Sequence, residues 1–159
     1  MAKMLICYYS RTKHTRHMAE AVADGARKVS GLQVDLKAVA QTKADELLGY
    51  DAILMGSPTY YGSMAAELKK LLDESVAFHG KLEGKVGGAF SSSANVGGGN
   101  ETTVLDIINA MLIHGMVVQG NSAGDHYGPV AIGDVDERSR EQCAQLGRRA
   151  GELAVKLHG

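Results

Sequence analysis

Short apolar runs alternate with longer stretches of helical periodicity from one end of the chain to the other. Residues 3–9 are apolar after the first, as in a strand covered on both faces. Over residues 16–29, Met18, Ala19, Val22, Ala23, Ala26 and Val29 recur at the period of an amphipathic helix, which Gly31 closes as its C′ residue. Residues 33–38 alternate polar and apolar, predicting a less buried strand near a sheet edge, and 42–48 read as a short helix capped by Thr42. A third strand at 52–57 is again wholly apolar, and a helix over 64–73 turns Ala65, Leu68, Leu71 and Leu72 inward. The fourth strand, 85–91, is rich in small residues. A helix over 101–114 buries Val104, Leu105, Ile108, Met111 and Leu112, and a fifth strand follows at 116–119. The last helix, 137–157, places Cys143, Leu146, Ala150, Leu153, Ala154 and Leu157 on one side. On it, Gly147 and Gly151 allow the backbone to approach the sheet closely.

Strands alternating with helices imply right-handed crossovers and a parallel sheet covered on both faces. The expected fold is therefore α/β and doubly wound, with five parallel strands, for which the order 2-1-3-4-5 is taken as one of the common arrangements of the class. At 159 residues the chain is predicted to be a single domain over residues 1–159. Its net charge of −1 gives no reason to expect nucleic acid or an anionic membrane as partner. The two cysteines, Cys7 and Cys143, fit no metal-ligand spacing and both fall on apolar faces, so no metal is expected and a reducing cytoplasm is. No signal peptide is recognised, and no apolar run approaches the roughly 18 residues of a membrane span.

In open α/β sheets, ligands bind beyond the carboxyl ends of the strands, where strand order reverses. Three loops leave strand ends with unusual sequences, and the predicted strand order makes them neighbours. The first holds Ser10, Arg11, Thr12, Lys13, His14 and Thr15 ahead of a helix. Helix N-termini present unpaired N–H groups and partial positive charge, and the hydroxyls add donors, so this loop suits a phosphate. It has neither a Walker A nor a Gly-x-Gly-x-x-Gly pattern, and its alternative reading is an ordinary capped strand–helix turn. Its basic residues are also able to attract a phosphorylated co-substrate.

The second loop, Pro58, Thr59, Tyr60, Tyr61 and Gly62, exposes aromatic surface on which a planar ligand can stack, or its rings close helix ends. The third runs from residue 91 to 100, and its Ser92, Ser93, Ala94, Asn95, Val96, Gly97 and Gly98 leave main-chain N–H groups accessible to a heteroaromatic edge. As an alternative it is a plain surface loop. Together the three describe a mononucleotide with a flat ring, and flavin mononucleotide (FMN) fits better than AMP because the tyrosines offer a broad wall.

On Tyr8-Tyr9-Ser10 with His14, Gly56-Ser57-Pro58-Thr59 with Gly62 and Met64, and Phe90-Ser91-Ser92 with Gly97-Gly98-Gly99, the chain resembles the flavodoxin-like family. Within it, Glu101-Thr102, His114-Gly115-Met116-Val117, Tyr127-Gly128 and the closing Leu153-Ala154-Val155-Lys156-Leu157 are similar to WrbA-type NAD(P)H:quinone oxidoreductases. The resemblance implies a flavodoxin-like fold, with the phosphate of tightly bound, non-covalent FMN held by the first loop and its ring by the other two. It implies His114 near the pyrimidine end of the flavin as a catalytic residue stabilising negative charge on reduction. Read from the residues alone, His114 is equally a helix-terminal histidine beside Gly115. The implied chemistry is two-electron hydride transfer from NADH or NADPH through flavin N5 to a quinone or other small acceptor. The implied assembly is a homodimer or homotetramer in which Tyr127 approaches a neighbour's flavin.

Four features depart from the family pattern. Thr12 replaces an aromatic residue and Lys13 a position that is often Gly, the chain has no Trp, and two insertions are shorter. Phe78 or His79 is left to fill the tryptophan's region. Two other readings stand beside the reductase: a flavodoxin-type one-electron carrier, and a non-catalytic flavin-binding sensor or accessory protein. A carrier gains from an acidic surface that steers it to basic partners, which a net charge of −1 does not supply.

Overall fold

Side chains on a strand point alternately to opposite faces, and the three central strands use this to feed two separate cores. In the computed structural model, which describes residues 1–159, β1 (Ala2–Tyr8) sends Ala2, Met4 and Ile6 to one core and Leu5 and Cys7 to the other. β3 (Ala52–Tyr60) divides Ala52 and Leu54 from Ile53 and Met55 in the same way. β5 (Val86–Ser93) is buried along its whole length. The first core is closed by α1 (His14–Ala26) and α4 (Glu137–His158). The second is closed by α2 (Ala66–Glu74), α3 (Asn100–Ile113) and two 3-10 turns, Val39–Gln41 and Ala44–Gly49.

Strand order is β2-β1-β3-β5-β6, all parallel, with β2 (Leu32–Ala38) a partly buried edge as its polar–apolar alternation predicts. This is the doubly wound topology expected, with two modifications. The fifth strand position is shared by two short segments. β6 (Val117–Val118) pairs with the start of β5 at Val86 and Gly87, and β7 (Val130–Ile132) pairs with its end at Ser91, Ser92 and Ser93. The intervening segment leaves the sheet and returns, so the expected single strand at 116–119 is cut short. The second modification is at β3, which continues through Pro58, Thr59 and Tyr60 and folds back on β4 (Ser63–Met64) as an antiparallel hairpin. At its tip Tyr61 and Gly62 both have positive φ, 48° and 82°, the backbone of a type I′ turn. The expected loop is thus a hairpin.

Other boundaries move for local reasons. α1 begins at His14 and ends at Ala26, so His14 and Thr15 lie in its first turn, and Gly31 (φ 80°) turns the chain into β2 instead of capping the helix. The expected helix at 42–48 is replaced by the 3-10 turn Ala44–Gly49, and Thr42 instead ends the preceding 3-10 turn, Val39–Gln41, donating its hydroxyl to Ala38 O. α3 rotates relative to expectation: Ile107 is buried, Leu105 only partly, and Leu112 is exposed. In α4, Leu157 likewise emerges into solvent. The close approach at Gly147 is to α1 and not to the sheet, since a Cβ there would overlap the Val22 carbonyl oxygen and stand 2.9 Å from Ala26 N. Gly151 sits against Leu32 of β2 and Val29.

Candidate functional site

The carboxyl ends of β1, β3 and β5 lie side by side, and three segments rise from them. At the first, Lys13 caps α1 with a left-handed backbone (φ 73°) and no side-chain cap. Arg16 N–H donates to Ser10 Oγ at 3.3 Å, and His17 N–H donates to Lys13 O. The N–H groups of His14 and Thr15 meet no protein acceptor. With the exposed Thr12 they form an open donor set at the positive end of a 13-residue helix. Arg16 is paired with Glu20 at 2.9 Å and His17 with Asp134 at 2.8 Å, whereas Arg11 and Lys13 form no ion pair. The His17 hydrogen bond holds the Asp134 carboxyl below the usual range, so a second carboxylate stays charged near this end of α1.

A chain of hydroxyls fixes the three segments to one another. Thr15 Oγ1 lies 3.1 Å from Ser92 Oγ, Thr59 Oγ1 lies 3.1 Å from Ser91 Oγ, and Thr103 Oγ1 donates to Thr59 Oγ1 at 3.1 Å. Asn100 Nδ2 donates to Ser93 Oγ, which in turn donates to Asn95 O. Ser91, Ser92 and Ser93 are therefore strand residues buried in this network, not part of the exposed loop as the sequence suggests. Exposure begins at Ala94 and continues through Asn95, Val96 and Gly97, with Gly98 half-buried. A Cβ on Gly99 would stand 3.3 Å from Thr59 Cγ2 and 3.5 Å from Gly62 Cα, so the hairpin and the third loop touch.

The aromatic wall is real but divided. Tyr60 is half-exposed and meets Tyr9 edge-on, with centroids 6.1 Å apart and planes at 78°. Burial pushes its phenol pKa up, so it stays protonated. Tyr61, at the turn, projects fully into solvent. Pro58 and Thr59 are half-buried beneath them.

His114 is not brought to this cluster within the chain. α3 starts at the loop end of β5 and its 14 residues carry the chain about 20 Å away, so that Val117 pairs with Val86 at the opposite end of the sheet. There His114 is the C-cap of α3, followed by Gly115 at φ 76°, with Met116 N–H bonding Met111 O and Gly115 N–H bonding Leu112 O. That is a Schellman ending, the helix-terminal alternative for this residue. Its Nε2 lies 2.7 Å from Ser75 Oγ and its buried Nδ1 has no partner. Tyr127 is half-exposed just before β7, close to the outer half of β5 through the Ser91 N–H to Pro129 O bond.

A cavity of about 500 Å³ opens on the β2 side of the first loop, away from the third. It shares Ser10, Arg11 and Lys13 with the expected phosphate site, but its other walls are the end of β2 and the side of α2 with Glu67, Lys70 and Glu74. Sequence reading passed over these α2 residues because nothing in their pattern distinguishes a cavity wall from an ordinary solvated face. No group of three or more His, Cys, Asp or Glu side chains converges in the structure.

The family model described as NADPH-dependent FMN reductase matches residues 36–128, which takes in the second and third loops and leaves out the first. A flavodoxin from Aquifex aeolicus is 38% identical over 168 residues, covering all of this chain and 91% of that protein. An NAD(P)H dehydrogenase (quinone) from Nitrobacter winogradskyi is 37% identical, covering both chains in full. That alignment runs to 200 positions against 159 residues here, so the relative carries insertions that this chain lacks. Among solved structures, a WrbA-like flavodoxin from Agrobacterium tumefaciens superposes with a TM-score of 0.83 at 28% identity, over 99% of each chain. On the family match, the full-length relatives and the topology, this chain belongs to the NADPH-dependent FMN reductase family of flavodoxin-like oxidoreductases.

Proposed function

We propose that the protein is an NAD(P)H:quinone oxidoreductase whose FMN lies across the carboxyl ends of β1, β3 and β5. The observation that carries this reading is the hydroxyl network from Thr15 to Ser92 and from Thr59 to Ser91 and Thr103. It clamps three otherwise independent loops into one pre-organised rim. The residues fit the cofactor's chemistry. Unpaired N–H groups of His14 and Thr15, with Ser10, Thr12 and the unpaired Arg11 and Lys13, suit a phosphate monoester dianion. Pro58, Thr59, Tyr60, Tyr61 and Gly62 would line one side of a flat ring, and the backbone around Ala94, Asn95, Val96, Gly97 and Gly98 its polar edge. Ser92 and Ser93 act by holding that backbone.

Bound FMN supplies two-electron chemistry between a nicotinamide and a quinone. The chain's own part is to fix the phosphate, orient the ring and leave one ring face open for donor and acceptor in turn. His114 has no direct part in this within one chain, because it caps α3 at the opposite end of the sheet. The proposal includes a small quinone as acceptor, a reducing cytoplasmic setting, and a homodimer or homotetramer with Tyr127 turned toward a neighbouring copy. Burial of both thiols, pushed up to about 11 at Cys7 and about 12 at Cys143, suits that setting, and no helix is long and apolar enough to cross a membrane. A one-electron carrier is the second reading, and the full-length Aquifex flavodoxin relative favours it.

The two separate anaerobically. The flavin-loaded protein is expected to bleach on addition of NADPH or NADH and to recover its yellow colour with benzoquinone. Reduction only by one-electron donors, with a persistent semiquinone, selects the carrier. No flavin uptake after incubation with FMN overturns both.

A further inference from the structure

We propose that Asp106 of α3 is a positioning residue for the flavin ring: through Ser63 it fixes the hairpin that presents Tyr60 and Tyr61, and so sets the wall on which the ring lies. The consequence for a bound ring rests on the FMN reading. The brace itself belongs to the protein without cofactor.

Little within the hairpin holds its outer half. β3 and β4 pair only at Thr59 with Met64 and Tyr60 with Ser63, and so short a two-stranded hairpin is marginal by itself. Tyr61 at the turn carries a positive φ, a conformation costly to a residue with a Cβ. It projects fully into solvent and gains no packing in return. The base of the hairpin is anchored: Met64 is buried in the second core, and Ala65 N–H donates to the buried Ser57 Oγ at 2.8 Å. Both anchors lie below the pair formed by Tyr60 and Ser63.

α3 supplies the rest. Gly99 at its N-cap, Thr103 and Asp106 follow the i, i+4, i+7 spacing of one helix face, and each meets the hairpin. Gly99 packs against Thr59 and Gly62, Thr103 Oγ1 donates to Thr59 Oγ1, and Asp106 accepts from Ser63 Oγ at 2.7 Å. Of these contacts only the last is charge-assisted, and such bonds are about twice as strong as neutral ones. The half-buried Asp106 carboxylate forms no ion pair, and the Ser63 hydroxyl is its one hydrogen-bond partner. It grips the residue directly opposite Tyr60, whose ring meets Tyr9 of the first loop edge-on. Tyr60 is thus held from two sides, and a single carboxylate controls one of them.

The experiment titrates Asp106→Ala, Ser63→Ala, the double variant and Asp106→Asn with FMN and with riboflavin, following the flavin fluorescence that neighbouring tyrosines quench. Either alanine variant is expected to weaken both ligands by the same factor, about fivefold, and to leave the bound flavin brighter, because the ring is affected and the phosphate site is not. The double variant should be no weaker than the single ones. Asp106→Asn keeps an acceptor for Ser63 and should return both affinities to within about twofold of the wild type. Alanine is a good helix former, so α3 is expected to stay folded in Asp106→Ala, which thermal melts check. In FMN-free protein, amide hydrogen exchange over residues 59–64 should quicken about fivefold in either alanine variant, with exchange in β1 and β5 unchanged. Losses that add in the double variant, Asp106→Asn as weak as Asp106→Ala, or unchanged exchange at the hairpin would overturn the brace. Faster exchange with unchanged flavin affinity and fluorescence overturns the positioning role. A wild type that takes up neither flavin, while the exchange differences hold, overturns the cofactor reading and leaves the brace standing.

Discussion

Lys13 carries a conflict between local preference and position. Its φ of 73° is one that L residues with a Cβ reach only at a cost of about 1–2 kcal/mol. The same side chain adds an unpaired positive charge beside the donor set of α1. Lys13→Gly should therefore stabilise the FMN-free protein by about 0.5–1 kcal/mol, after allowing for the looser unfolded chain, and weaken FMN binding severalfold. Thermal melts and flavin-fluorescence titration of the same variant read the two effects, and a variant both less stable and equally tight would sink the argument. His114 is a residue whose environment, not its loop, decides its behaviour. Ser75 Oγ donates to Leu72 O and so accepts from His114 Nε2–H, which leaves Nδ1 bare and buried. Burial first, and His79 second, lower its pKa from 6.5. A lowered histidine pKa means that the unfolded chain binds the proton more readily. The stabilisation is therefore present above pH 6.5 and is lost as pH falls below it, toward the lowered folded value. Urea midpoints measured at about pH 7.5 and about pH 5.5 should drop more in the wild type than in His114→Gln. Parallel drops would assign the pH effect elsewhere.

At the scale of elements, α1 and α4 show how a helix can be read correctly and its neighbour misjudged. The apolar stripe of α4 is plain in sequence, and Asp136 with Ser139 caps it reciprocally. The Gly147 backbone approach was legible too, but not its target. Because Gly147 lies against the backbone of Val22 and Ala26, and Gly25 of α1 faces the backbone of Ala144 in return, the pair packs backbone to backbone. Gly147→Ala should cost about 2–3 kcal/mol in urea unfolding, although Ala is the better helix former by about 1 kcal/mol. A neutral or stabilising result would show that the two helices can part without loss. The central strands were legible because both faces are apolar, which leaves one consistent burial pattern. The split fifth strand was not: Val130, Ala131 and Ile132 are too few to show a period, and they become a strand only because Ser91, Ser92 and Ser93 offer unpaired edge groups. Nor was the hairpin, since Tyr61 at positive φ goes against the preference of its residue type and only Gly62 signals the turn.

For the whole molecule, the sequence by itself determined the fold class. Alternating periods dictate parallel strands joined by right-handed crossovers, and the observed order puts the ends of β1, β3 and β5 together. Donor types for a phosphate and a ring could be read on those loops for the same reason, since they depend on residue identity and on position after a strand. Tertiary structure alone decided how each residue is used. Ser92 and Thr15 turn inward to clamp the loops, because their hydroxyls end up 3.1 Å apart although the residues lie 77 apart in sequence. His114 leaves the site because a rigid helix carries it to the other end of the sheet. The basic cavity arises where a loop and the flank of α2 converge, and such convergence between surfaces has no period or motif to announce it. Periodicity encodes what a segment does with its own neighbours along the chain. Distances between segments are set by packing, and it is those distances that bring Lys70 and the first loop to one cavity.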